Sequence, residues 1–182
     1  MAKKKMILDL DTGVDDALAL AYALATPDAD LIGVVSSFGN TQVETAAQNT
    51  LKLLELLGKS DVPVFVGAAH SSTTDNFETM QVSMDIHGKN AIGDVALPEP
   101  KTTPATTSAV DFLIASAHQY ADDLVVVPTG PLTNLAAAFK KDPQIADLIG
   151  NITLMRGALV VPGNVTPYTE ANINQDHEAA EY

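Results

Sequence analysis

The sequence predicts an α/β fold: an open, largely parallel, Rossmann-like sheet with helices on both faces. Three observations point there. Apolar, β-branched runs alternate with Ala/Leu-rich stretches of helical length. The runs are apolar throughout, as strands covered by helices on each side must be. A chain of 182 residues, 46% hydrophobic and 18% charged, suffices for one packed core and is short for two. Residues 1–182 are therefore read as one α/β domain.

The elements follow in order. Residues 6–10 (MILDL) are a short apolar run ending in acid, a buried strand by length and flanks. Residues 15–25, rich in Ala and Leu, form a helix ended before Pro27. Residues 31–37 (LIGVVSS) make a second strand, and 43–57 a second helix stopped by Gly58. The third, fourth and fifth strands are 64–66, 124–127 and 152–155. Helices are expected at 107–120, 132–140 and 143–149. Residues 68–104, rich in Ser, Thr, Pro and Gly, lack clear periodicity and read as a functional loop or small excursion. The last stretch, 174–182, starts like a helix with Asp176 as N-cap.

A net charge of −13 repels phosphate backbones, so neither nucleic acid nor an anionic membrane is an expected partner. There is no cysteine, hence no disulfide or thiolate chemistry. Lys3, Lys4 and Lys5 precede an apolar stretch too short for a signal peptide. No segment approaches the ~20 apolar residues of a membrane span. The expected location is the cytoplasm.

The chemistry concentrates in Asp9-Leu-Asp11-Thr-Gly13-Val-Asp15-Asp16. Asp9 and Asp11 share one face of the first strand, because side chains alternate with period two. Gly13 permits a sharp turn, and Asp15 and Asp16 open the next helix, about 100° apart around its axis. In open α/β sheets ligands bind beyond the carboxyl ends of the strands. Two carboxylates ~4 Å apart repel by about 4 kcal/mol at an effective dielectric of 20. A helix N-terminus compensates two of them, at ~0.3–1 kcal/mol each; a hard divalent cation compensates the set. An EF-hand fails, because the twelfth position counted from Asp9 is Leu20. The haloacid-dehalogenase phosphatase pattern Asp-x-Asp-x-Thr/Val fails at its last position, Gly13.

With that motif, further stretches complete an ordered series. Phe38-Gly39-Asn40 follows the second strand, His87-Gly88 falls in the long loop, and Pro128-Thr-Gly-Pro-Leu-Thr-Asn134 follows the fourth strand. Met155-Arg-Gly157 ends the fifth, and Gly163-Asn164-Val-Thr-Pro167 leads to Glu170-Ala-Asn172. In this order and spacing the chain resembles the inosine–uridine-preferring nucleoside hydrolases. The resemblance implies a Ca²⁺-dependent N-ribohydrolase that cleaves purine or pyrimidine ribonucleosides, generally as a homo-oligomer. Asp11 would ligate the cation and act as general base; Asp16 and the Thr129 backbone carbonyl would be further ligands. Asp15, Asn40, Asn164, Glu170 and Asn172 would hold the ribose hydroxyls, Met155 would lie beside the sugar, and Asp9 would support the cluster from behind.

Each residue also has a plain structural reading. Residues 129–131 suit a turn with Pro131 at a first helical position. Asn40 suits a helix cap, Asn164 a turn into Pro167, Met155 a core position, and His87 an exposed loop. Glu170 and Asn172 alternate as a strand face would. His70, His118 and His177 carry no signal.

Two local departures stand out: Thr12 and His177 occupy positions where the family usually has proline. The larger departure is length. The family's remaining part supplies a His–Asp pair, the Asp being another cation ligand, without counterpart here. The chain is accordingly expected to be an N-terminal portion of such a domain. The alternatives are a non-catalytic cation- and ribose-binding remnant and a Mg²⁺ phosphohydrolase of the haloacid-dehalogenase type.

Overall fold

The computed structural model describes residues 3–155, 157, 158 and 160–182. Arg156, inside the 155–157 motif, lies outside the described residues. Strand β1 (Lys4–Leu10) lies at the centre of the sheet, between β2 (Ala29–Ser36) and β4 (Leu124–Pro128). The edges are β3 (Val64–Val66), beside β2, and β5 (Asn151–Ile152), beside β4. All these pairings are parallel.

The alternation of side chains sorts the core into two layers. Leu8, Leu10, Val34 and Val64 face helices α1 (Val14–Ala25) and α2 (Val43–Leu56), which contribute Leu20, Ala47, Leu51 and Leu54. Ile7, Val35, Phe65 and Val126 face the opposite layer. After α3 (Gln81–His87), which lies between β3 and the next helix in sequence, that layer is built by α4 (Ala109–Tyr120), α5 (Thr133–Lys141) and α6 (Ile145–Leu148). Two short helices follow, α7 (Ala171–Gln175) and α8 (His177–Glu181), and Ala179 of α8 joins the same core. Each fully buried Leu, Ile or Phe stabilises the fold by about 1.5–3 kcal/mol.

Connectivity matters more for function than packing does. From β1 the chain moves outward through β2 to β3, then returns to place β4 on the other side of β1. Strand order therefore reverses between β1 and β4. At such a switch point the two connections leave in opposite directions and open a crevice at the carboxyl ends of the strands.

Several expected boundaries shift for physical reasons. β1 begins two residues early, because Lys4 and Lys5 pair with Ala29 and Asp30 of β2. The fifth strand is shorter than 152–155: only Asn151 and Ile152 pair with β4 in regular register. Beyond it, single bonds from Thr153 N–H to Val126 and from Met155 N–H to Pro128 hold the chain to β4. The aperiodic stretch 68–104 contains α3. Pro131 does not open a helix, since α5 starts at Thr133.

Asp176 caps α8, accepting from Ala179 N–H at 3.1 Å. The same buried carboxylate accepts from the Ser72 N–H (2.8 Å), the Ser72 hydroxyl (2.7 Å) and the Thr133 hydroxyl (2.6 Å). A helix of five residues is not stable alone; this carboxylate ties it to α5 and to the loop after β3. Burial pushes the Asp176 carboxyl up, but the bonds from Thr133, Ser72 and Ala179 outweigh it and hold the group below its ordinary range. Asp176→Ala should therefore lower stability in urea unfolding by about 2–4 kcal/mol, through lost charge-assisted bonds and stranded donors. Because the folded-state pKa is depressed, the stabilisation is complete above about pH 4 and fades as pH falls through the lowered value. The advantage of wild type over Asp176→Asn in urea midpoint should shrink below that pH.

Candidate functional site

The site is assembled where β1 and β4 end. Asp9 is fully buried, and the side-chain amide of Asn134, from α5, donates to its Oδ1 at 3.0 Å. The same amide donates to the Ser36 carbonyl at 3.2 Å, and its oxygen accepts from Ala68 N–H at 2.8 Å. One buried side chain thus ties the ends of β1, β2 and β3 together. The Asp9 carbonyl in turn accepts from Thr129 N–H at 2.9 Å, which fixes the turn after β4. Asp9 is held within this frame of strand ends, away from solvent.

Asp11 and Asp16 lie in front of this frame, 1% and 2% exposed. Asp11 Oδ2 accepts from Asn40 N–H at 2.6 Å, whereas its Oδ1 is buried without a partner. Asp16 reaches back across the first turn of α1, accepting from Gly13 N–H at 2.8 Å and from the Thr129 hydroxyl at 2.6 Å. Gly39 has φ of +151°, and a Cβ there would overlap the Asp11 carboxylate; glycine is what lets the backbone approach so closely. Burial, followed by the neighbouring Asp16 charge, pushes the Asp11 carboxyl well above the usual carboxylate range. Burial also raises Asp16, against the opposing bonds from Thr129 and Gly13. The lysine ion pairs among the described residues all go to other carboxylates.

Beside Asn40 and Thr129, which bond the two aspartates, opens a cleft of about 210 Å³. It lies below the ~300–1,000 Å³ of typical ligand pockets. Asp15 is exposed on its wall, one residue from buried Asp16, as the 100° helical step requires. Asn40 and Thr129 line it too, as does Met155, 48% exposed and so not a core residue. Asn40 does not cap α2, whose N-cap is Gln42.

The opposite wall comes from α7. Glu170 is its N-cap, with Oε2 accepting from Asn172 N–H (3.0 Å) and Ile173 N–H (3.2 Å), and with Oε1 buried and unpaired. Asn164 accepts from Ala171 N–H at 2.9 Å. Asn172 donates its amide to the Thr129 carbonyl at 2.7 Å. The strand-like alternation of Glu170 and Asn172 is thus corrected: they are cap and first turn of a helix, with 163–169 folded as turns before it.

Two residues are more deeply engaged in the site than their sequence context indicates, His87 and Asn134. His87 is buried at the end of α3, not exposed on a loop. Its Nδ1 accepts from Val14 N–H at 3.2 Å and lies 3.7 Å from Asp15. The signal for this was Gly13, where a Cβ would stand 2.7 Å from the His87 ring and 2.8 Å from the Asn40 amide. Asn134 closes the motif after β4, but nothing in one sequence tells a structural clamp from a helix residue.

A profile of the inosine-uridine preferring nucleoside hydrolases matches residues 6–182. The chain belongs to that family. It is 39% identical to uridine nucleosidase 1 of Arabidopsis thaliana, over 98% of this chain and 52% of that one. It is 37% identical to the pyrimidine-specific ribonucleoside hydrolase RihA of Escherichia coli O7:K1, over 97% of this chain and 55% of that one. Among solved structures it resembles the purine-preferring ribonucleoside hydrolase from Gardnerella vaginalis, with a TM-score of 0.96 and 53% identity, over 97% of this chain and 56% of that one. The chain spans about half the length of the curated relatives it matches. None of these is a phosphohydrolase, and that reading lapses.

In this nucleoside hydrolase family member the donors fit a hard cation: two buried carboxylates, one with an unpaired oxygen, and a backbone carbonyl with a second lone pair. Among the described residues no group of three or more His, Cys, Asp or Glu side chains is arranged to hold a metal ion. No helix is long and apolar enough to cross a membrane among the described residues. Since the Thr129 hydroxyl carries a short bond to a buried carboxylate, Thr129→Val should cost about 1–3 kcal/mol in chemical denaturation. Thr129→Ser, which keeps the donor, should cost under ~1 kcal/mol.

Proposed function

We propose that this chain is a nucleoside N-ribohydrolase of the cytoplasm, hydrolysing the bond between ribose and base with the help of Ca²⁺. The observation that carries the reading is Asp11: a buried carboxyl with one oxygen unpaired, at the strand-order switch point, bonded to the N–H of Asn40, which lines the cleft together with Thr129 and Glu170. Asp11, Asp16 and the Thr129 carbonyl would hold the cation. When bound, it supplies positive charge that lowers the pKa of a neighbouring water and of both carboxyls.

The chain's own residues do the rest. Asp11 accepts the proton of a water aimed at the anomeric carbon. As the C–N bond breaks, its electron pair leaves with the base, which takes up a proton from solvent; positive charge grows on the sugar ring until the oxygen of that water bonds to the anomeric carbon. The carboxylates of Asp11, Asp15 and Glu170 surround that charge. Asn40, Asn164 and Asn172 offer amides to the hydroxyls, a mode of recognition that strongly rejects analogues lacking them. Met155 provides the apolar wall. The relatives' names span uridine, pyrimidine and purine ribonucleosides, and ribonucleosides of both classes are the proposed substrates. Self-association as a homo-oligomer goes with the same reading.

One observation favours a second reading, a cation- and ribose-binding protein without turnover: among the described residues no group of three or more His, Cys, Asp or Glu side chains is placed to hold a metal ion. Incubation with uridine or inosine and Ca²⁺ separates them. Reducing sugar released in proportion to protein supports hydrolysis; ribose binding with no release supports the binder. Asp11→Asn should cut any turnover by about 10²–10⁴-fold, the usual contribution of a general base. The same change removes a buried charge, so the ion-free variant should unfold at a urea concentration equal to or above that of wild type. Ca²⁺ at a hundred times its Kd should stabilise wild type by about 2.7 kcal/mol and leave the variant almost unmoved.

A further inference from the structure

Gln175 ends α7 and has no part in the chemistry above, yet its amide reaches beneath the site. Nε2 donates to the Gly39 carbonyl at 3.4 Å, one residue before the Asn40 N–H that holds Asp11. This contact gives the amide nitrogen an acceptor. Turned over, Oε1 would meet the Gly39 carbonyl, acceptor against acceptor. Oε1 instead points away from Gly39, shut off from bulk solvent and without a partner.

Its neighbourhood says what the partner would be. Gln175 lines the same cleft as Asp15, Asn40 and Asn172. Glu170 lines that cleft too, and its Oε1 is likewise buried and unpaired. The two ends of α7 thus present one charged and one neutral acceptor, each short of a donor. An anionic ligand would set oxygen against oxygen there. A polyol supplies O–H donors at more than one point, and so completes both groups.

We propose that Gln175 is a further sugar-contacting residue, its Oε1 accepting a hydrogen bond from a ribose hydroxyl while its Nε2 steadies the 39–40 turn beneath Asp11. The assignment rests on the ribohydrolase reading of the site and adds to it a residue that the motif series does not contain. It also gives α7 a double office: one end caps itself with Glu170, the other anchors on the turn that holds Asp11.

Calorimetric titration of the full chain with D-ribose, in the presence of Ca²⁺, tests it. Gln175→Met keeps the side-chain length and removes both polar atoms; it should weaken ribose binding about tenfold, the worth of one buried hydrogen bond. Gln175→Asn withdraws the amide by one methylene and should weaken binding comparably in a fold that still satisfies polar neighbours. In ¹⁵N-labelled wild type, the assigned side-chain amide signal of Gln175 should shift on adding ribose and saturate at the calorimetric Kd. That measurement decides the matter even where a variant fails to fold. Wild-type affinity in both variants, or an amide signal indifferent to saturating ribose, overturns the assignment alone. A wild type that binds no ribose overturns the ribohydrolase reading and the assignment with it.

Discussion

The structure turns on the burial of Asp11 and Asp16 side by side at the end of β1. Neither residue would choose that place on its own account, since burial penalises each charge and each charge penalises the other. A fold that keeps two such groups inside must supply donors from several elements. Here they come from the Asn40 N–H after β2, the Gly13 N–H at the start of α1 and the Thr129 hydroxyl after β4. The positive end of α1 adds to these. The donors still fall short, and Asp11 Oδ1 is where the shortfall appears. Groups with strongly shifted pKa values in a cleft mark functional sites because stability alone would not retain them.

The sheet explains why those donors can meet. The ends of β2 and β4 flank β1, so the turns after them fall on either side of Asp11. Asn134 then removes the remaining freedom. Its amide bonds to Asp9, Ser36 and Ala68, so a slip of any one strand would break a bond inside the core. The clamp is fully enclosed, at 1% exposure, where a lost hydrogen bond is not replaced by water. Asp9 is thereby a structural member of the acidic motif, while Asp11 and Asp16 are bonded to Asn40 and Thr129, which line the cleft.

Much of this was legible in the sequence, because it depends on local periodicity and on glycine. The alternation of apolar runs and helical stretches gave the parallel sheet, and period two put Asp9 and Asp11 on one face. The 100° helical step separated exposed Asp15 from buried Asp16. What was hidden depends on long-range contacts. His87 looked like a loop residue because α3 is a seven-residue helix in a Ser/Thr/Pro-rich stretch, and its burial comes from packing on Gly13 and Val14, 73 residues away from the latter. Glu170 and Asn172 alternated like a strand, but a carboxylate accepting from the next two N–H groups makes a helix cap. Gln175 gave no signal at all: its meaning lies in a carbonyl 136 residues distant.

The cleft residues share a further property that bears on how such a site works. Several residues in or next to the cleft have one polar atom engaged with backbone and another open. Asp11 is held through Oδ2 and open at Oδ1; Glu170 is held through Oε2 and open at Oε1. Asn164 is held through its oxygen by Ala171 N–H, leaving its amide nitrogen for the cleft. Asn172 is held through its nitrogen by the Thr129 carbonyl, leaving its oxygen. Holding one end of a side chain lowers the conformational entropy that a ligand must remove. It also fixes whether a donor or an acceptor is presented, which an unrestrained amide would leave to chance. The arrangement therefore offers a set pattern of acceptors at Glu170 and Asn172 and a donor at Asn164. Such a pattern discriminates by hydroxyl geometry: a ligand lacking one O–H leaves a buried acceptor as unpaired as before, and gains nothing for entering.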